Sequence, residues 1–486
     1  MIFKYKLVKL NQHAIQNQYN IIGGAAELST QIPSIKSYFQ LEYKSTNTRQ
    51  TIVSKFNIND NFTEIFGKPL VEQLNPTDHK IGSGAYGEVF KCTYKNPTAS
   101  STSSPIMVKK RVCKGTVMQE GKIQYAPKSL WDSFNDLLYE MDQLRRIKES
   151  DGTYDQYIIE YFGYNIHANN KLYLVFEHAY SALVNPIDKT ISSETPNQNE
   201  ITIDQFRVIE EYVTGRLPNI SKSTTISPDY TTVLYKKYVH LIIYDIANAL
   251  KFLKDANFLH LDLKPDNIML FMRDGKIYSK LIDFGLSLYI KDERNIPLGY
   301  NLIQNRIIEM YEIGPKKALT HADKKVFITA TYRPPELFHN YMYDLYKQFT
   351  GQRREQIYNI DIFSFGIFCI HFFFYPFENI ASNLKVKFLE LEKYKDWDNM
   401  YFWKKYKYGR WEIVGQDWDL MYKTIYKKVD PIDLYTDDCV MTKLKLYELD
   451  YIVDLISKNP EDRLKIENVV AQAKSLLYPN TPSPTE

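Results

Sequence analysis

The sequence predicts an α+β chain in two parts: a small strand-rich part with one helix, then a larger and mainly helical part. Three observations carry this. Between Ile81 and Ala179 apolar residues fall mostly in short, strand-length runs separated by turn residues. Within that region, Leu130 to Ile147 repeats Phe134, Leu137, Met141 and Leu144 at helical spacing. Beyond Asp229 helical spacing takes over, with Tyr238, Ile242, Ile246, Ala249, Leu250 and Leu253 recurring toward one face.

Taken in order, residues 1–74 mix polar tracts such as NQHAIQNQYN with short apolar runs and carry no chemical motif. IGSGAYGEVFKCTY, from Ile81, reads as strand, glycine turn, strand; NPTASSTSSP is a low-complexity loop, and IMVKKRV is a third strand. LYLVFEHA, Leu172 to Ala179, is another strand. Ser181 to Asp229 shifts to Ser, Thr, Asn and Pro and reads as a mostly irregular insert with a short helix around Asp204 to Val213. LFMRDGKIYSKLI reads as a hairpin turning on Asp274-Gly275. The apolar run Ile362 to Phe377 is short for a membrane span, contains His371 and follows Asp361, so it is expected to be a buried helix. The tail, residues 479–486, has the composition of a disordered end.

Bulk composition narrows the function classes. Of 486 residues, 44% are hydrophobic and 24% charged, with 39 Tyr and 26 Phe available for a core. A formal charge of +3 offers no global support for nucleic-acid or anionic-membrane binding. Cys92, Cys113, Cys369 and Cys439 match no zinc or redox spacing, which fits reduced thiols in an intracellular, cytoplasmic protein. Lysines interrupt the apolar residues of MIFKYKLVKLNQH, leaving no signal-peptide core.

The chemistry concentrates in HLDLKPDN, with Asp262 and Asn267, followed by Asp283-Phe284-Gly285. One carboxylate is placed to take a proton, while an amide and a second carboxylate offer oxygens to a hard cation such as Mg²⁺, which shares its ligands with substrate phosphates. That order and the Asp-x-x-x-x-Asn spacing suggest phosphoryl transfer. Gly82-Ser83-Gly84-Ala85-Tyr86-Gly87 lies between two strands, where glycines let a backbone approach phosphate oxygens. Alone it is as well explained by a turn, and the dinucleotide version would need a helix after it. Lys109 ends Ile106-Met107-Val108-Lys109; alternation puts it with Met107 on one face. A lysine inside a small sheet needs an anion, and Glu140, bordering the helix's apolar stripe, is the candidate.

These motifs resemble those of the eukaryotic-type protein kinases: IGSGAYGEV, IMVK, Glu140, HLDLKPDN, DFG, TATYRPPE, DIFSFG and NPEDR stand in family order over Ile81 to Arg463. The resemblance implies a bilobal protein kinase fold, with a small N-lobe antiparallel β-sheet and one helix and a larger, mainly α C-lobe. It places the kinase domain at 75–478, the N-lobe at about 75–178, the C-lobe at about 179–478 and inserts at about 181–229 and 286–328. It implies ATP and Mg²⁺ as cofactors and proteins as substrates. Ile81 to Val89 (with Ser83, Ala85, Tyr86 and Glu88) would cover the nucleotide, Lys109 would hold its α- and β-phosphates, and Glu140 would position Lys109. Backbone groups of Glu177 and Ala179 would bond the adenine beside Phe176. Asp262 would orient the acceptor hydroxyl, Lys264 would steady the transferring phosphate, and Asn267 and Asp283 would bind Mg²⁺. Glu336 and Arg463 match a buried ion pair, and Asp361 an anchor of the catalytic loop. Lys264 and Thr329 follow the serine/threonine pattern, and TYRPPE and LYLVFE are similar to the cyclin-dependent-kinase branch.

One departure stands out. The arginine that precedes the catalytic Asp in the family is Leu261 here, and leucine cannot pair with a phosphate on the activation segment. The expectation is an enzyme that does not depend on phosphorylation there. The competing readings are a pseudokinase scaffold and a small-molecule phosphotransferase. The complete charged set argues against the first, and the DFG, PPE and activation segment argue against the second. The two inserts read as lids, partner sites or passive insertions.

Overall fold

The computed structural model describes residues 3–8, 40–45, 51–55, 74–83, 87–94, 106–112, 114–119, 122–127, 130–150, 154–166, 172–186, 191–192, 201–223, 226–289, 330–339, 351–374, 403–405, 411–413, 422, 425–427 and 429–479. Thr329, most of the 286–328 insert and the tail after residue 479 lie outside these. The chain divides into two compact units: residues 1–149, 160–178 and 291–325, and residues 150–159, 179–290 and 326–486.

In the first unit, β1 (Phe3–Val8), β2 (Gln40–Ser45) and β3 (Thr51–Lys55) pair as an antiparallel sheet, so the motif-free N-terminal stretch contains strands. A second antiparallel sheet runs in the order β4 (Leu74–Ser83), β5 (Gly87–Tyr94), β6 (Ile106–Val112), β10 (Leu172–Glu177), β9 (Tyr161–Ile166). Between β6 and β9 in sequence come a hairpin of β7 (Lys114–Gln119) and β8 (Lys122–Pro127), which the sequence reading did not anticipate, and helix α1 (Leu130–Ser150). Tyr173, Leu174, Val175 and Phe176 of β10 are all buried, as a strand covered on both faces requires. On α1 the buried stripe is Leu137, Glu140, Met141, Leu144 and Ile147, so Glu140 lies within the apolar face.

The second unit is mainly helical. Helix α2 (Ile203–Thr214) begins with a capping box, in which Thr202 Oγ1 accepts from Gln205 N at 3.1 Å and Gln205 Oε1 accepts from Thr202 N at 3.0 Å. Helix α3 (Pro228–Asp255) starts ten residues before Tyr238, on an Ser227 cap with Pro228 at its first position. A run of α3 residues from Tyr238 to Ile243 is buried, and α3 packs on α8 (Ile466–Leu477) and on the strand Lys276–Leu281. The hairpin β15 (Ile268–Arg273) and β16 (Lys276–Leu281) turns on Asp274 (φ 49°) and Gly275 (φ 73°), the two left-handed residues that a tight hairpin turn wants.

The Ser181 to Asp229 region is less irregular than its composition suggests. Arg216, just past α2, donates from a guanidinium nitrogen to Asp245 of α3 at 2.6 Å, with both side chains 7% exposed. Asp245 also accepts from Tyr212 Oη at 2.6 Å and Ser279 N at 2.9 Å, tying α2, α3 and β16 together. A fully partnered buried ion fixes its elements in one arrangement, so this stretch is a member of the core.

Helix α5 (Asn359–Cys369) continues into a π-helical turn, Ile370–Phe374. Glu355–Phe374 is long and apolar enough to cross a membrane by length and composition, yet 83% of it is buried in the protein, as expected for a core helix. A Cβ on Gly366 would lie 2.6 Å from Ile456 and 2.8 Å from Leu455, so only glycine permits this approach. Cys92 and Cys369 are buried thiols, and Cys439 is an exposed one.

Burial sets a pH dependence. His240, His260 and His371 are each pushed down to about 4, first by burial. The stability they contribute is present above pH 6.5 and is lost as pH falls toward 4. Asp262 and Asp361 are pushed up to about 6 by burial and act oppositely, favouring the folded state as pH drops through 6. Three histidines outweigh two carboxylates, so acidification from pH 7 to pH 5 should cost roughly 2–3 kcal/mol of stability. Thermal melts at pH 7, 6 and 5 should show a steady fall; a flat profile would show that these histidines do not stay neutral in the folded chain.

Candidate active site

The loop after β14 (Phe258–Leu259) carries the first group of site residues. Asp361, in the first turn of α5, accepts from His260 N at 2.6 Å and Leu261 N at 2.9 Å. Leu261 has φ 62°, which a β-extended strand cannot accommodate, so the chain turns here and its amides need a side-chain acceptor. Asp361 supplies it, as the family resemblance implied. Leu261 itself is buried. His260 is neutral: Asp262 N points to its Nδ1 at 3.3 Å, and its Nε2 donates to Ile282 O at 3.1 Å.

Three predicted residues meet around Asp262. Lys264 Nζ donates to its Oδ2 at 2.6 Å, and Asn267 Nδ2 donates to the same oxygen at 2.8 Å and to the Asp262 carbonyl at 2.7 Å. Burial pushes the Asp262 carboxyl up to about 6, with the ammonium of Lys264 pulling the other way and the charge of Asp283 adding to the rise. The result is a carboxylate at neutral pH, more basic than an ordinary aspartate. Asp283 sits at φ 65°, and its Oδ1 accepts from Gly285 N at 3.3 Å. Phe284 is fully buried, edge-on to His260 at 5.0 Å. The DFG segment is tied to the catalytic loop by Ile282 N donating to Asn267 O at 3.0 Å.

The first unit holds the other group. Glu140 is paired here by Lys110, a lysine the sequence expectation did not name; the side chain of Lys109 lies outside the described residues. Lys110 Nζ donates to the two Glu140 carboxylate oxygens at 2.9 and 3.0 Å, with the Glu140 side chain 3% exposed. Alternation along β6 puts Lys110 on the same face as buried Val108, one residue out of step with the sequence expectation. Across the glycine turn, Gly82 pairs with Val89 and Ser83 with Glu88, while Gly87 pairs with Val112 on the other side. Gly84, Ala85 and Tyr86 lie outside the described residues. Ile81 is half exposed, and Glu88 receives Lys80 at 2.9 Å. Glu177 N donates to Glu160 O at 3.0 Å, and Glu177 Oε1 accepts from Glu160 N at 2.6 Å. Ala179 begins the 179–290 segment of the second unit.

Behind the loop, the Arg463 guanidinium meets both carboxylate oxygens of Glu336 at 2.7 Å each; Glu336 opens the short helix α4 (Glu336–His339). Sequence reasoning missed Lys110, whose signal was masked by its identical neighbour.

Residues 198–473, more than half of the chain, match the family model described as protein kinase domain, and residues 76–301 match that of protein tyrosine and serine/threonine kinase. The chain belongs to the eukaryotic-type protein kinase family. Its relatives include the serine/threonine-protein kinase ULK3 of Xenopus laevis, 41% identical over 91 residues, 18% of either chain. The ovarian-specific serine/threonine-protein kinase Lok of Drosophila melanogaster is 40% identical over 53 residues, 11% of either chain. Extracellular signal-regulated kinase 7 of the same fly is 33% identical over 89 residues, 18% of this chain and 9% of that one. The matched segments therefore span less than a fifth of these relatives' lengths.

Proposed function

We propose that the chain is a serine/threonine protein kinase that transfers the γ-phosphoryl group of ATP to protein hydroxyls with magnesium. The observation that carries this is the cluster in which Lys264 and Asn267 converge on a buried Asp262 carboxylate, on a loop held by Asp361. Phosphoryl transfer through a loose transition state asks the protein chiefly for fixed charges and a positioned acceptor. Asp262 orients the acceptor hydroxyl and accepts its proton, and Lys264 balances charge on the phosphoryl group. Lys110, set by Glu140, binds the α- and β-phosphates in the role first expected of Lys109, beneath the glycine turn of Gly82, Gly84 and Gly87. The two units are the lobes of the bilobal fold.

The residues fit magnesium. Asn267 spends its NH₂ on Asp262, which leaves its amide oxygen as a hard acceptor to join the Asp283 carboxylate. When bound, the ion would neutralise charge on the nucleotide phosphates. The serine/threonine assignment is supported by Lys264 and Thr329 and by the names of the relatives. Leu261, buried and apolar, supports activity without activation-segment phosphorylation. Incubating radiolabelled ATP with generic protein substrates and comparing wild type with Asp283→Ala tests the reading. Transfer to protein by a phosphate-free wild type and none by the variant is expected. ATP binding without transfer would favour a scaffold, and transfer only to small molecules would favour the other phosphotransferase reading.

The lysine assignment makes its own prediction. Losing charge-assisted bonds of about 1.5–3 kcal/mol, Lys110→Met should lower kcat/KM for ATP by roughly 10- to 100-fold. Lys109→Met should lower it by less than Lys110→Met does, if Lys110 holds the role proposed for it. Steady-state kinetics with ATP varied decides, and the reverse ranking would restore Lys109 to the role.

A further inference from the structure

The Ser181 to Asp229 insert reaches back to the strand that follows Ala179. β11 (Ser181–Ala182) pairs antiparallel with β15, Ser181 opposite Leu270 and Ala182 opposite Met269. Just before it, Tyr180 N donates to Leu270 O at 2.7 Å. β15 starts at Ile268, directly after Asn267, so this pairing sets the strand in register with the catalytic loop. On its other side Tyr180 is tied to α2, where its Oη donates to Glu211 Oε2 at 2.7 Å across 31 residues of chain. One element therefore holds Tyr180 by its main chain and another by its side chain.

Glu211 is a fixed acceptor. α2 starts in a capping box and is followed by the buried Arg216–Asp245 pair, and Tyr212, the residue after Glu211, is itself bonded to Asp245. Lys222 Nζ lies 3.7 Å from Glu211 Oε1, which leaves Oε2 to Tyr180. The neighbouring Glu210 turns elsewhere: its Oε1 accepts from Tyr230 Oη at 2.8 Å and Ser223 N at 3.4 Å, closing the insert on the first turn of α3. Two adjacent glutamates thus have separate partners, one fastening the insert to α3 and the other fastening it to the segment after Ala179. Tyr180 is 43% exposed, so burial does not account for a tyrosine there, whereas the bond of its hydroxyl does.

We propose that Tyr180 is a positioning residue for the nucleotide: its bond to Glu211 lets the α2 insert hold residues 179–182 on β15, and so fixes the Ala179 backbone groups that meet the adenine. This rests on the kinase reading above, in which Ala179 bonds the base. The insert then acts as a brace, and neither as a lid nor as a passive loop. The hydroxyl is engaged by Glu211, so its effect reaches the nucleotide through the backbone of Ala179. It falls on the base, and not on the phosphates or the protein acceptor.

The test measures steady-state kinetics of the full chain with ATP and with an acceptor peptide chosen from a degenerate serine/threonine pool. Tyr180→Phe, which keeps the ring and removes the donor, should raise the ATP KM by about three- to five-fold and leave kcat and the peptide KM within about two-fold. Glu211→Ala should do the same, and the double variant should be no worse than either single one. Glu211→Gln, whose amide oxygen still accepts from the hydroxyl, should recover most of the loss. Competitive inhibition by inorganic tripolyphosphate, which has no base, should be unchanged throughout. An unchanged ATP KM, a tripolyphosphate constant that shifts with it, additive losses, or no recovery in Glu211→Gln would overturn the inference while the kinase reading stands. Absence of transfer by the wild type would overturn both.

Discussion

Asp262→Asn should lower kcat for phosphoryl transfer by about 10²- to 10⁴-fold while nucleotide binding and folding persist. The change keeps the side chain's size and removes its basicity. In the folded chain Asp262 is a buried carboxylate pushed up to about 6, so at neutral pH it is ionised yet more basic than an exposed aspartate. That is the condition for accepting a proton as it leaves a hydroxyl. An amide cannot do so, although its oxygen can still accept from Lys264 and Asn267, which both donate to one oxygen of Asp262. Folding should hold because the substitution removes the cost of a buried charge. ATP affinity should hold because Lys110 and the glycine turn are untouched. Single-turnover transfer from radiolabelled ATP, alongside equilibrium nucleotide binding, measures both halves. A variant that keeps more than a tenth of the wild-type rate would remove Asp262 from the proton-accepting role.

The catalytic group was legible because its spacing is local. Asp262, Lys264 and Asn267 lie within one loop and a 3₁₀ turn, so residue order alone brings them together. The Asp274-Gly275 hairpin was legible for the same reason, since its two left-handed positions are a property of two adjacent residues. The Lys110–Glu140 contact was not. Ile106, Met107 and Val108 are consecutive apolar residues, so they carry no alternation from which to tell which lysine faces Glu140. Strand parity follows from the chain, but which face meets α1 is a tertiary fact. The Tyr332–His371 contact was hidden by distance along the chain, 39 residues, and by a π turn that no periodicity announces. The Arg216–Asp245 pair was hidden because the Ser- and Thr-rich flanks outweighed the short amphipathic α2 between them.

Glu336→Ala should destabilise the helical unit by about 3–5 kcal/mol, the loss expected when a buried ion loses its partner. Arg463 is left with a side chain 0% exposed to water and without two bonds of 2.7 Å. Its remaining contacts include the carbonyls of Asn359 at 2.8 Å, Ser457 at 2.9 Å and Lys458 at 3.4 Å, and the face of Phe363 at 4.9 Å. Carbonyl dipoles soften the penalty without supplying a counter-charge. Arg463→Lys should fare little better, because a single ammonium cannot make the paired contact to Glu336 while also reaching the carbonyls. The pair joins the start of α4 to the chain leading into α8, and through Asn359 it reaches the first turn of α5. Its loss should therefore loosen Asp361 and, with it, the catalytic loop. Melting should fall on the order of 10 °C for the unit, with transfer activity declining ahead of the main transition. The double replacement Glu336→Leu with Arg463→Met separates charge from packing: it should recover much of the loss, since removing both ions leaves neither unpaired. A double variant as unstable as the two single losses summed would show that packing against Phe363 and the carbonyls, and not the paired charge, holds this corner of the fold.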